Sequence, residues 1–354
     1  MKNLNTTILA FLVFFALIIV SCQQAPKEEN TVLVKGVISE DTTWNSKTNY
    51  ILNGPVIVTE NATLTIEAGT VIKANPGEGQ DVSMLVVARG GKLMAVGTPE
   101  HPIVFTSIND NLNNDDTAPS VLNDMDTGLW GGIILLGNAP ISLENEDEET
   151  FYVGLNPGSS SSYYGGSDID DSSGTLSYVS IRHGGVFIGT GSESNGLTLC
   201  GVGAKTMINN IEIYANQDDG LEIFGGTVNV SDLIVHASGD DALDIDQGYT
   251  GTVSNFILEL TNTSESALEI SGGQGSNPGL FKLVNGVIDG ANLTNIEAYA
   301  IDSNAQGIIS NLKEINLSKT VIRNNLSENV TIELSTETEN SASDYSWTRT
   351  KRKE

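Results

Sequence analysis

The sequence predicts an all-β chain: a right-handed, single-stranded parallel β-helix, a solenoid carrying two long loop insertions. Three observations predict it. Four segments align on one another: Asn195-Gly-Leu-Thr-Leu-Cys200, Asp219-Gly-Leu-Glu-Ile-Phe224, Asp241-Ala-Leu-Asp-Ile-Asp246 and Ser266-Ala-Leu-Glu-Ile-Ser271, with first residues 24, 22 and 25 apart. A second series runs in step, through Ile211-Glu-Ile-Tyr214, Leu233-Ile-Val-His236 and Phe256-Ile-Leu-Glu259, spaced 22 and 23. The third is composition: 37 glycines, frequent Asn and Asp, and no amphipathic helical period after residue 30 argue for short strands and tight turns.

Each repeat is thus two or three short strands with turns between. A coil of this size cannot bury its own apolar face, but coils stacked about 4.8 Å apart make a continuous interior. Two-residue alternation puts Leu221 and Ile223 inside and Glu222 outside. A β-sandwich is the rival architecture, and the constant period disfavours it. The N-terminal half fits the same scheme through residues 56–72, which alternate cleanly, and residues 84–94, 102–106 and 130–135. Insertions at about 107–128 and 143–174, rich in Asp, Asn, Ser and Gly, must leave the coils as surface loops. The β-helix domain is read as 31–336, and the polar stretch 337–354 as a tail expected to fray.

The first thirty residues set the address. One lysine precedes a 13-residue apolar run, residues 8–20, too short for the roughly 20 residues of a membrane-spanning helix. The run ends in Ile19-Val20-Ser21-Cys22, which resembles the lipobox of bacterial lipoprotein precursors. That resemblance makes residues 1–21 a signal peptide and Cys22 the acylated new N-terminus, with thioether and amide-linked chains (palmitate among them) entering outer-membrane lipid. Residues 22–30 read as a lipidated flexible tether. Its Lys27-Glu28-Glu29 resembles the surface-export signal of Bacteroidota lipoproteins, which would turn the protein to the cell exterior; the periplasmic face is the alternative.

With Cys22 consumed by lipid, Cys200 is left alone, so no disulfide can form within the mature chain. Cys200 lies in a strand-like run with no neighbouring cation to activate it and reads as a structural thiol. The formal charge of −28 repels nucleic acid and anionic lipid, which excludes nucleic acid as a partner, and it favours cations.

Several phrases carry a wider resemblance: Ala62-Thr-Leu-Thr-Ile-Glu-Ala-Gly-Thr70, Arg89-Gly-Gly-Lys-Leu93, Trp130-Gly-Gly-Ile133, Tyr164-Gly-Gly166, Ser177-Tyr-Val-Ser-Ile-Arg-His-Gly-Gly185 and Asp218-Asp-Gly-Leu-Glu-Ile-Phe-Gly-Gly226. Over about residues 50–275 the chain resembles a group of Bacteroidota β-helix lipoproteins. The resemblance implies a pectate-lyase-like scaffold on the cell surface and brings no reaction with it.

Chemistry can sit in three places. The 22-residue step places Asp218 beside Asp240, Asp219 beside Asp241 and Glu222 beside Asp244, with Glu265, Glu269 and Asp246 adjoining. Carboxylates one coil apart repel by ~1 kcal/mol per pair in water-like surroundings. They are solvated and tolerated, or hold a hard cation such as Ca²⁺ through Asp218, Asp219, Asp240 and Asp241, or act as a general acid/base pair drawn from Asp219, Asp241, Glu222 and Asp244. The acid pairs are like those of polygalacturonase-type hydrolases, but the downstream Gly-His-Gly and Arg-Ile-Lys elements are missing. The second place is Asp168-Ile-Asp170-Asp171 on a Gly/Ser-rich loop, a candidate Ca²⁺ loop without EF-hand spacing. The third is aromatic: Trp130, Phe151, Tyr152, Tyr163 and Tyr164 either form a sugar-binding surface or pack the insertion onto the coils. Arg182 is a candidate lyase base only if it stands among the acids. The three histidines are too dispersed for a zinc motif.

The sequence therefore favours a non-catalytic, lipid-anchored surface module that binds a glycan or a partner surface protein, with Ca²⁺ as the candidate cofactor. A polysaccharide lyase or glycoside hydrolase working through the stacked acids is the alternative. The question that separates them from mere solvation is whether the acids face a groove or a flat side.

Overall fold

The computed structural model describes residues 30–77, 79–114, 120–145, 150–189, 192–291, 293, 297–317, 322–324, 327–336 and 345–350. Cys22 and Lys27-Glu28-Glu29 lie outside the described residues.

The chain winds as the repeat requires. Among the described residues, twenty-two strands join into one sheet whose ladders are parallel. No α-helix occurs among the described residues. Three faces make each coil. The first runs through Thr63–Ile66, Lys92–Val96 and the opening halves of Gly174–Arg182 and Met207–Asn216. The second takes Val71–Ala74, Ile103–Ser107 and the closing halves of those longer strands. The third stacks Leu85–Val87, Ile133–Leu136, Leu197–Cys200, Leu221–Phe224, Leu243–Asp246 and Ser266–Ile270.

The corner between the first two faces shows why the composition is rich in Asn. Tyr178, Asn210, Asp232, Asn255, Asn285 and Asn311 all take φ between 52° and 58° there. Asn and Asp tolerate this left-handed region better than most residues. Their amides also satisfy one another up the stack: Asn285 Nδ2 donates to Asn255 Oδ1 at 3.2 Å and Asn311 Nδ2 to Asn285 Oδ1 at 2.7 Å. The second corner repeats the device with His183, Ala215 and Ala237 at φ 57–63°.

Inward residues fill one continuous core from Trp44 to Leu312. Packing is close enough that a Cβ on Gly286 would fall 2.1 Å from the ring of Phe256. Outside the third face, the 143–174 insertion builds a second core. Tyr152, Leu155 and Tyr164 cover Met84, Ile134, Leu136 and Cys200 there.

The tail differs from the expectation that it frays. Tyr345 and Trp347 are buried, and Trp347 meets Tyr178 edge-on at 5.6 Å. Arg349 lies over the Tyr214 ring at 4.7 Å, while Thr350 donates to Glu212 Oε1 through its N–H at 2.8 Å and its hydroxyl at 2.9 Å. The physical reason is twofold: two aromatic rings gain burial, and a buried carboxylate gains donors it cannot obtain from its own coil. Residues 337–344 and 351–354 lie outside the described residues.

Candidate functional site

The acids on the third face stand in register. Thr198 pairs with Glu222, Glu222 with Asp244, and Asp244 with Glu269. Their neighbours Leu221, Ile223, Leu243 and Ile245 point inward, so alternation forces the carboxylates outward. Asp218, Asp219, Asp240 and Asp241 occupy the corner just before these strands.

Outward here does not mean into open water. The acids line a groove of about 680 Å³. Its walls come from two antiparallel hairpins. Thr150–Phe151 pairs with Tyr163–Tyr164 inside the 143–174 insertion, and Phe187–Gly189 pairs with Ser192–Glu193. Phe151, Tyr152 and Tyr164 enter from the first, Phe187, Ile188 and Glu193 from the second. The column thus faces a groove.

Two sets of carboxylates come together on its floor. Asp218, Asp219 and Asp240 offer oxygens within 4.8 Å of one another, and so do Asp219, Glu222 and Asp244. Asp219 belongs to both, is nine-tenths buried, and takes the Asp241 N–H on Oδ1 at 2.9 Å. Asp241 accepts from the Ser266 hydroxyl, and Glu222 accepts from Asn195 Nδ2. Asp244 Oδ1 is buried with no hydrogen-bond partner among the described residues.

Burial and mutual repulsion raise these groups together. Burial, then Glu193, Asp240 and Asp241, push Asp218 up to about 7. Burial, then Asp241 and Glu265, push Asp240 up to about 6. Burial and a shared hydrogen bond with Glu269 push Asp241 up to about 8. Asp219, Glu222 and Asp244 are held well above the ordinary carboxylate range, by burial first and by their acidic neighbours second. Such a floor keeps protons near neutral pH or takes up cations.

The aromatic candidates divide. Tyr152 and Tyr164 line the groove while their rings pack the insertion down; Tyr164 bonds Gln247 across the groove floor at 3.3 Å. Tyr163 turns away, meeting Phe151 edge-on and donating to Pro157 O at 2.9 Å. Trp130 corrects the expectation of an exposed ring: it is buried in the core at 6.2 Å from Phe105, with Nε1 on Arg182 O at 2.7 Å. Its indole finds its one acceptor inside the coil, so no ligand can reach it.

Arg182 is corrected likewise. Its guanidinium bonds Ser180 Oγ at 2.7 Å and pairs with buried Glu212 at 3.5 Å, under the docked tail on the second face. It does not line the groove and cannot take a proton there. Asp168, Asp170 and Asp171 are not among the carboxylate groups that converge among the described residues. Asp168 Oδ1 accepts the Asp170 N–H at 3.0 Å, Asp170 pairs with Lys205 at 3.3 Å, and Asp171 lines a separate cavity with Arg89 and Ser160.

Sequence reasoning missed the Phe187–Gly189 hairpin. Its signal was a spacing: Asn216 is followed within a few residues by Leu221, whereas Arg182 is separated from Leu197 by a longer, glycine-rich run.

Comparison with known proteins gives the scaffold a family context. A family model described as a pectate-lyase-like beta helix domain matches residues 36–351. No curated protein and no solved structure matches the chain.

Proposed function

Starting from the premise that this chain belongs to the pectate-lyase-like β-helix domain family, we propose that it is a non-catalytic, lipid-anchored module on the cell exterior that binds an extracellular glycan. The observation that carries this reading is the groove itself: stacked acids on the floor and aromatic rings on the walls, with the volume of a small-ligand site. Lipidation at Cys22 and the Lys27-Glu28-Glu29 signal supply the address.

Ca²⁺ suits the floor as a counter-charge. The donor set is oxygen only, two carboxylate triads are assembled, and one buried oxygen, on Asp244, has no partner among the described residues. Asp218, Asp219 and Asp240, or Asp219, Glu222 and Asp244, would hold it. A glycan array probed with the full chain, with and without Ca²⁺, tests the proposal. Binding above background to a defined glycan family supports it, and a blank array in both conditions refutes it.

A second reading has one observation in its favour. Asp219, Glu222 and Asp244 bring carboxylate oxygens within 4.8 Å of one another, the close approach by which one carboxyl holds a proton beside a charged neighbour, as glycosidase acid pairs require. One acid could hold a proton while its neighbour stays charged. Without Arg182 in the groove, hydrolysis suits this site better than lyase chemistry. New reducing ends from a polysaccharide panel, lost in Asp219→Asn, would favour this reading; no product from any polymer removes it.

A further inference from the structure

The groove's electrostatics narrow the ligand further. Seven carboxylates line it, including Glu193 on one wall and Glu269 at the end of the column, and no lysine, arginine or histidine lines it among the described residues. A sugar bearing its own carboxylate would meet only acids and no basic side chain among the described lining residues. A neutral sugar offers O–H donors to the unpartnered Asp244 Oδ1 but brings no positive charge to offset the seven acids. The ligand that completes the site brings both positive charge and N–H groups.

The geometry leaves room for such a group. A tetrahedral ammonium donating three bonds of ~2.8 Å spaces its acceptors ~4.6 Å apart. Oxygens of Asp219, Glu222 and Asp244 lie within 4.8 Å of one another, and the second triad through Asp218 and Asp240 repeats the arrangement beside it. The walls separate an organic cation from a bare metal ion. Phe151 and Phe187 are 38% and 48% exposed, so apolar ring surface is open beside the acids, and Tyr152 lines the same groove. A metal gains nothing from those rings. An amine on a sugar ring gains stacking for its carbon face and attraction between its charge and the aromatic faces.

We propose that the groove recognises glycans of de-N-acetylated amino sugars, with the primary ammonium seated on Asp219, Glu222 and Asp244. The proposal rests on the glycan-binding reading and deepens it. It also makes Ca²⁺ a competitor for the same oxygens rather than a bridge to the sugar.

The test is calorimetric titration of the full chain in detergent micelles at neutral pH, first in EDTA. The probes are a glucosamine tetramer, its fully N-acetylated counterpart and a galacturonate tetramer. The glucosamine tetramer should bind at least about tenfold more tightly than the acetylated one. Asp244→Asn and Glu222→Gln, each with a cooperative melt, should weaken it by about tenfold or more. Added Ca²⁺ should raise its apparent Kd on the unmodified protein, a readout that needs no variant to fold. Equal binding of the acetylated and free-amine tetramers overturns the ammonium proposal and leaves glycan binding standing. So does galacturonate binding that appears only with Ca²⁺. If no tetramer binds and the glycan array is blank, both readings fall.

Discussion

Asp241 offers the sharpest test of how the groove is balanced. Its carboxyl, ordinarily near 3.8, is pushed up to about 8, so the folded chain holds a proton there that the unfolded chain has released. Where the native state binds the extra proton, stability falls as pH rises, by ~1.4 kcal/mol per pH unit for each proton held. The full window runs from 3.8 to about 8. Its acidic part is masked by His183, which burial lowers from 6.5 to about 4 and which therefore adds stability with rising pH up to 6.5. Above 6.5 the signs separate. From there to about 8, Asp241 alone costs ~2 kcal/mol. At roughly 2–4 °C per kcal/mol for a domain of this class, Asp241's share of the fall in melting point should be ~4–8 °C. Asp241→Asn keeps an oxygen for Ser266 and places an N–H toward Glu269, so it should melt with a visibly flatter dependence. The assay is thermal melting of both proteins in EDTA across this window. A wild-type melting point that holds level or rises with pH refutes the reasoning, as does an Asp241→Asn curve parallel to wild type.

Three further outcomes follow from the same geometry. Millimolar Ca²⁺ should raise the wild-type melting point; occupancy at a hundredfold Kd corresponds to ~2.7 kcal/mol, and no shift removes the metal from the site. Glu212→Gln removes the buried carboxylate paired with Arg182, so denaturant unfolding should show a loss of ~3–5 kcal/mol; truncation after residue 344 should give a smaller loss by exposing the same pair. Gly286→Ala drives a methyl group into Phe256 and should cost ~1–3 kcal/mol in the same assay, while Gly189→Ala, with open space around it, should change little.

The coil plan was legible because it depends on two periods that the sequence carries openly. The 22–25-residue step places Glu222 beside Asp244, and the two-residue alternation turns both outward. The corner asparagines were visible only as composition, since their left-handed φ and their amide stack exist only when coils are superposed. The groove was less legible for a different reason. Its floor comes from the repeat, but its walls come from departures from the repeat, and hairpins such as Phe187–Gly189 carry no period. Trp130 and Arg182 misled in opposite ways. Trp130 sits beside a polar insertion yet turns inward to stack on Phe105, and Arg182 lies only four residues from its strand's bend at Tyr178 yet answers to Glu212 one coil away. The tail misled through averaging, because two buried rings sit within a mostly polar stretch.

Where the acids stop along the third face is itself an argument about their purpose. Follow one outward position up the stack: Thr198, Glu222, Asp244, Glu269, then Ala300. Solubility would be served by charge along the whole outer face, where water screens it and repulsion is small. Instead the run begins one coil after Thr198 and ends one coil before Ala300. Glu222, Asp244 and Glu269 all line the walled groove. Walls displace water, and displaced water strengthens repulsion between the acids. The fold therefore holds its acids where charging them is most unfavourable, and no basic side chain lines the groove among the described residues. A solvated acidic face does not predict that placement. A cation-binding site does, because the confinement that strengthens repulsion among the acids also strengthens their attraction for positive charge.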